Sequence, residues 1–469
     1  MINMKKISII ILMICSSLFG FSQNQLDGIN SQMLEKIQQA YKNTDQDKAL
    51  RNAVASNKID NLVVNLDNEA KYDTYFSNRV KSKGISDQKS SGRCWMFSGF
   101  NVLRSGMIAK YDLGEFNFSH NYIFFYDQLE KSNLFLSLVI KYKDEPLDSK
   151  NNEWLLKNVL SDGGQFTGII DLVSKYGLVP STVQPETYNS ENTRIIDELL
   201  TLKLKEFALD LRAINSKGDK KELFENKKVE MLSTIYRMLV LAYGEPVKEF
   251  TYTLRNSSGK EISTEKYTPK SFYEKHIGKD LAKTYVMFMN DPTRPYYKLY
   301  EIENDRHIID GINWKYINLP IEEIKEMAIA SIKDSTMMYF SCDVGKCYNR
   351  TKGLLDVNNY DYGVLMGTSF SMNKTQRIQT LASGSSHAMT LCGVDINKEK
   401  KPTKWLVENS WGASAGWQGH LIMTDDWFNE YMFRLVVDRK YIPSKLLKIL
   451  DEKPTMLPPW DPMFAEDID

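Results

Sequence analysis

The segment that most restricts the fold is Gln88-Lys-Ser-Ser-Gly-Arg-Cys94-Trp-Met-Phe. Beyond Cys94, apolar residues recur at Met96, Phe100, Leu103 and Met107, a four-three-four spacing that places them on one face of a helix. Cys94 then sits in the first helical turn. Uncommitted backbone N–H groups and the positive end of the helix dipole favour a thiolate there. Gly92, just before it, lets the backbone approach a ligand closely. Taken alone, such a cysteine is as readily a buried structural thiol.

Two distant segments change that reading. Gly384-Ser-Ser-His387-Ala-Met-Thr-Leu-Cys-Gly393 puts a histidine at the head of an apolar strand, and Trp405-Leu-Val-Glu-Asn409-Ser-Trp411-Gly412 puts an asparagine at the end of another. A nucleophilic thiolate needs a base that takes its proton and returns it to the leaving amine. The base in turn needs an acceptor on its second nitrogen to fix its tautomer. Cys94, His387 and Asn409 supply these three roles, the neutral amide orienting the imidazole without cancelling the charge of the ion pair. The Gln88 side-chain NH₂ and the Cys94 backbone N–H are suited to an oxyanion hole. Trp411 would shield the His–Asn hydrogen bond from water, and Gly92 and Trp95 are grouped with it as substrate-binding residues.

The 469 residues carry 60 basic and 60 acidic side chains, and 42% are hydrophobic. This is globular composition with ample core material, and its charge balance gives no motive for binding nucleic acid. Met1 to Ser22 reads as a secretory signal peptide: Lys5-Lys6, an apolar run from Ile7 to Phe19, then Gly20-Phe21-Ser22. The run is too short for a membrane span, which takes about 20 residues, and Met13-Ile14 before Cys15 are too bulky for a lipoprotein signal. Removing this leader leaves 58 basic against 60 acidic residues and four cysteines. An exported, periplasmic or extracellular protein is expected.

Along the chain, 23–180 reads as an N-terminal arm followed by the Cys-bearing half of a core. A mostly helical insertion spans 181–305, with helices over Ser190 to Ala213 and Lys220 to Tyr243 separated at Gly218. A hairpin follows at Phe250 to Leu254 and Asn256 to Gly259. Residues 306–455 form the His/Asn-bearing half, with strands at Met337 to Cys342, His387 to Val394, Trp405 to Glu408 and His420 to Met423, and 456–469 form a C-terminal arm. The fold class is α+β.

Gln-x-x-x-Gly-x-Cys-Trp, with His-Ala-Met and Glu-Asn-Ser-Trp-Gly downstream, resembles a papain-type cysteine peptidase. More narrowly, the chain resembles the bleomycin hydrolase and aminopeptidase C branch. Asp162-Gly-Gly-Gln-Phe, Tyr176-Gly-Leu-Val-Pro180, Pro185-Glu-Thr, Cys342-Asp-Val-Gly-Lys346, Met423-Thr-Asp-Asp-Trp-Phe428 and Pro459-Trp-Asp-Pro-Met463 are similar to that branch's interior blocks. The match runs from about residue 70 onward. Cys94 and His387 are 293 residues apart, against roughly 130–150 in ordinary papain-like enzymes; the helical insertion supplies the excess. The resemblance implies a papain-like fold, a Cys94 nucleophile, a His387 base, an Asn409 orienter and a Gln88 oxyanion residue. It also implies aminopeptidase action on peptides with a free N-terminus, a homo-hexamer, and no metal or organic cofactor.

Other motifs are weaker. Gly412-Ala-Ser414-Ala-Gly416 matches G-x-S-x-G, but an apolar strand follows where a nucleophile elbow needs a helix. The five histidines are scattered without zinc-ligand spacing. His120 reads as a packed or surface residue and Cys392 as core. Cys342 and Cys347 allow either a disulfide or two buried thiols, and Cys347 departs from the histidine usual in the resembling family. In that family the C-terminal arm lies in the cleft and its carboxylate meets the substrate's α-ammonium. Here the arm ends Phe464-Ala-Glu-Asp-Ile-Asp469 instead of in small neutral residues. Asp467 and Asp469 can hold an ammonium, can prevent seating and leave an endopeptidase, or can form a solvated tail. A Cys-His-Asn acyltransferase or amidase is the remaining catalytic alternative.

Overall fold

The computed structural model describes residues 28–69, 72–81, 83–214 and 220–464. The leader segment, Gly218 and Asp469 lie outside the described residues. Residues 28–64, together with 364–366, form one compact unit. It holds the helices Ser31–Ala40 and Asp45–Ser56, the second opened by a reciprocal Thr44–Asp47 capping box. The remaining described residues form the second unit, which carries every described residue of the candidate site.

That unit is layered around a 12-stranded mixed sheet. Its centre runs from Tyr285–Met289 through Met432–Asp438, Met338–Cys342, His387–Ile396 and Pro402–Glu408 to His420–Thr424, all antiparallel neighbours. The strand Tyr285–Met289 shows how the layer is built. Tyr285, Met287 and Met289 join the apolar cluster on one face, while Val286 and Phe288 join the cluster on the other. The period of two buries both faces, so the run reads as continuously apolar. One core contains the helices Cys94–Tyr111, His120–Tyr142 and Phe166–Tyr176; the other lies under the helix Ile321–Lys333 and the short helix Asp425–Tyr431.

The helix Cys94–Tyr111 has the sheet on one side and helices on the other, and it is buried on every face from Cys94 to Arg104. The apolar stripe at Met96, Phe100, Leu103 and Met107 is therefore only part of its contact surface. Gly99 makes the tight approach possible: a Cβ there would lie 2.5 Å from Ile169 Cγ1 on the neighbouring helix.

The segment 181–305 supplies the helices Arg194–Ala213 and Lys221–Tyr243, which pack on His120–Tyr142, and the hairpin Phe250–Arg255 with Glu261–Tyr267. It is not separate from the core throughout, because its strands Tyr285–Met289 and Lys298–Ile302 pair into the large sheet. Ile196, Leu200, Leu204, Ile235 and Leu239 are buried, as the helical spacing requires. Ile195, Leu199 and Val229, apolar residues on the same two helices, face outward instead.

Candidate active site

Antiparallel pairing assembles the site. In the register of the two strands Thr390 faces Glu408, so the first residue of one strand and the residue just past the end of the other share one edge of the sheet. The 22 residues between His387 and Asn409 thereby shrink to a hydrogen bond: His387 Nε2 lies 2.8 Å from Asn409 Oδ1. Both side chains are fully buried. An amide oxygen accepts but cannot donate, so Nε2 carries the proton and Nδ1, on the far edge of the ring, is the nitrogen a base would use. Trp411 stacks on the imidazole at 4.8 Å between centroids and 27° between planes, covering the bond as expected.

The Cys94 segment is fastened to the same edge. Gln88 N–H donates to the Ser410 carbonyl at 2.8 Å, and Gly412 N–H donates to the Ser86 carbonyl at 3.1 Å. Gly412 has φ +80°, a left-handed conformation that spares this turn the strain a side chain would bring. Farther along, Thr390 Oγ1 donates to the Ser98 carbonyl, tying the second turn of the Cys94 helix to the His387 strand. Arg93 caps that helix without a side-chain hydrogen bond, which leaves the amide end of the dipole for whatever occupies the site. Cys94 itself is buried, with Sγ 4.0 Å from the Gly92 carbonyl oxygen.

Gln88 is held in place. Its Oε1 accepts from Ser410 Oγ at 2.5 Å and its Nε2 donates to the Ser91 carbonyl at 2.6 Å. This fixes the amide's orientation, and the second Nε2 hydrogen is the one an oxyanion requires.

Asp162 organises the opposite wall. Its Oδ2 accepts from Gly92 N–H and from the Thr193 hydroxyl, and its backbone carbonyl accepts from the Trp95 indole at 2.9 Å. Trp95, grouped from sequence with substrate-binding residues, is fully buried and packs on His307 at 4.6 Å. Its contact is with Asp162, so it shapes the wall from behind. Gly92 is held to that wall by its N–H bond to Asp162.

The remaining histidines are buried in the fold, as are Cys342 and Cys392. His120 is stacked on Phe97 at 3.6 Å, and burial, then Arg93 and Arg104, hold its imidazole well below the usual histidine range. His307 bonds Asp127 through Nδ1. None of the four described cysteines is in a disulfide, so Cys342 and Cys347 are not bridged here. Burial, followed by the Glu408 carboxylate, raises the Cys392 thiol far above the ordinary range, which makes it an inert core residue. Ser414 occupies an exposed turn followed by the strand His420–Thr424 and has no elbow geometry. Among the described residues no group of three or more His, Cys, Asp or Glu side chains could hold a metal ion, and no helix is long and apolar enough to cross a membrane.

Comparison with known proteins fixes the lineage. A family model described as the peptidase C1-like family matches residues 28–464. The chain belongs to that family. Aminopeptidase C of Lactobacillus delbrueckii subsp. lactis is 36% identical over 88% of this chain and 93% of the relative. Human bleomycin hydrolase is 39% identical over 82% of this chain and 86% of the relative. A crystal structure of PepW from Lactobacillus rhamnosis superposes with a TM-score of 0.90 at 37% identity, covering 94% of this chain and 99% of that one. The architecture is the α+β papain-like fold of the peptidase C1-like family.

Sequence reasoning missed the side chains that hold these elements in place. Arg104, ten residues into the Cys94 helix, forms a buried ion pair with Glu408, the residue before Asn409. Ser410, Ser91 and Asp162 hold Gln88 and Gly92. The one available signal was local, since Glu408 is a charged residue inside an apolar strand and needs a buried partner.

Proposed function

We propose that this chain is a papain-like cysteine peptidase that removes N-terminal residues from peptides. The observation that carries the proposal is the buried His387–Asn409 pair, set beside the backbone bonds that fasten the segment leading into Cys94. The Cys94 thiolate attacks the first peptide carbonyl, forming a C–S bond, while Gln88 Nε2 and the Cys94 N–H hold the oxyanion. The C–N bond breaks as His387 gives its Nδ1 proton to the departing amine. Water, deprotonated by the same nitrogen, then attacks the thioester and returns the thiolate.

Restriction to the N-terminus belongs to the C-terminal arm in this reading. Thr455–Leu457 pairs with Lys298–Ile302, Asp461 accepts from Arg294 at 2.5 Å, and the Met463 carbonyl accepts from Arg434 at 2.9 Å. Arg434 pairs with Ser341, and Ser341 with Ala388 next to His387. Two strand spacings are about 10 Å, and the six residues after Met463 reach about 20 Å when extended. Asp467 and Asp469 can therefore meet a substrate α-ammonium, which needs a countercharge when buried.

Export through Met1–Ser22 and assembly into a homo-hexamer complete the proposal. The assembly is supported by apolar side chains left on the two long helices: Ile195, Leu199, Leu202, Leu209, Val229 and Leu241 are each at least half exposed. Light scattering of the purified protein tests it. The catalytic proposal is tested by hydrolysis of a fluorogenic aminoacyl amide under reducing conditions. Wild type should turn over and Cys94→Ala should not; equal rates would refute it.

A further inference from the structure

Beside the nucleophile lies a cavity of about 530 Å³ whose wall includes Ser91, Gly92, Asp162, Thr193 and Asp197. Gly92, whose carbonyl oxygen is 4.0 Å from Cys94 Sγ, is one of its lining residues, so the cavity adjoins the Cys94 segment. In an aminopeptidase, the only side chain that near the carbonyl on its acyl side belongs to the substrate's first residue. The cavity is also within the usual size range for small-ligand sites.

The charges around it are already matched except at one place. Lys89 is paired with Asp87 at 2.6 Å, and Arg194 with Glu198 at 2.9 Å. Asp162 accepts from Gly92 and Thr193. Asp197, on the first turn of the helix Arg194–Ala213, has a buried Oδ1 with no hydrogen-bond partner. A carboxylate oxygen left this way is costly unless a donor reaches it. An extended lysine or arginine side chain entering past Gly92 brings such a donor.

We propose that this cavity receives the side chain of the substrate's first residue and that Asp197 makes the enzyme favour lysine and arginine there. The inference rests on the aminopeptidase reading above and adds its specificity. Burial, then the neighbouring Asp162 carboxylate, pushes the Asp197 carboxyl up to about 8, with Asp127 adding to the rise and Lys131 and Arg93 opposing it. The preference should therefore strengthen as pH rises through that value and the carboxylate forms.

The test compares kcat/KM for lysyl and norleucyl fluorogenic amides, which differ in the terminal charge while sharing a linear aliphatic side chain. Taking the ratio cancels the titration of the shared α-ammonium. Wild type should prefer lysine about tenfold at pH 8.5, a step worth one charge-assisted contact, and the preference should shrink toward parity by pH 6.5. Asp197→Asn should bring the two rates together, and Asp197→Glu should restore part of the difference. A wild-type ratio near one at pH 8.5, or a lysine preference kept in Asp197→Asn, overturns the proposal while leaving the peptidase reading intact. Failure to cleave either amide overturns both.

Discussion

Replacing Arg104 with methionine should cost the fold about 3–5 kcal/mol, the usual penalty for breaking one side of a buried ion pair. The Arg104 guanidinium donates to Glu408 Oε1 at 2.7 Å, to the Gly84 carbonyl at 2.8 Å, to the Phe116 carbonyl at 3.3 Å and to Asn117 Oδ1. Its side chain is 3% exposed and that of Glu408 is 0% exposed, so methionine strands a carboxylate in the core beside Asn409. With an unfolding entropy of about 2.1 cal/mol/K per residue over roughly 440 residues, the loss lowers the melting midpoint by about 3–5 °C. Glu408→Leu added to Arg104→Met should recover at least half of it, since a well-packed apolar pair no longer strands a charge. Melting curves of the two single variants and the double variant close the cycle. An Arg104→Met midpoint within 1 °C of wild type, or a double variant as damaged as the sum of the singles, would refute the view that this pair joins the Cys94 helix to the Asn409 strand.

Gln88→Ala should lower kcat by about 10²–10³, the usual effect of losing an oxyanion donor, with little change in KM; a change confined to KM would place Gln88 in ground-state binding instead. Asn409→Ala should reduce kcat/KM roughly tenfold to a hundredfold, since it frees the imidazole without removing it, and unchanged kinetics would contradict the orienting role. Asp171 is pushed up to about 7, chiefly by burial, despite accepting from Ile312 N–H. A carboxyl whose folded value lies above its unfolded value of 3.8 loses its stabilising contribution as pH rises toward 7. Asp171→Asn should accordingly stabilise the protein by about 1–2 kcal/mol at pH 8 and by nothing measurable at pH 4, a contrast that two melting curves will show.

The site was legible because its chemistry needs scarce residue types next to strong periodic signals. Cys94 opens an apolar helical stripe, and His387 and Asn409 bound apolar strands. The strands Tyr285–Met289 and Met432–Asp438 were harder to read. The first is short and buried on both faces, so it lacks the alternation that identifies a half-exposed strand. The second carries Arg434 at 0% exposure, a buried charge met by the Met463 carbonyl in the arm and by the Trp314 ring. The outward Ile195, Leu199 and Val229 show a related limit: helical spacing finds apolar positions and does not say which of them the monomer buries. Trp95 adjoins Cys94 in sequence, but successive helical residues point about 100° apart, and its indole turns inward to Asp162.

Hydrolysis of a matched pair of fluorogenic peptides, one with a free N-terminus and one acetylated, tests the central claim most directly, with Cys94→Ala as the blank. A thiol aminopeptidase whose cleft is closed by its own C-terminal arm cuts only the free peptide, and Cys94→Ala cuts neither. Cleavage of the acetylated peptide at a comparable rate would contradict the account, leaving the Cys94–His387–Asn409 chemistry in place but removing the arm from the cleft.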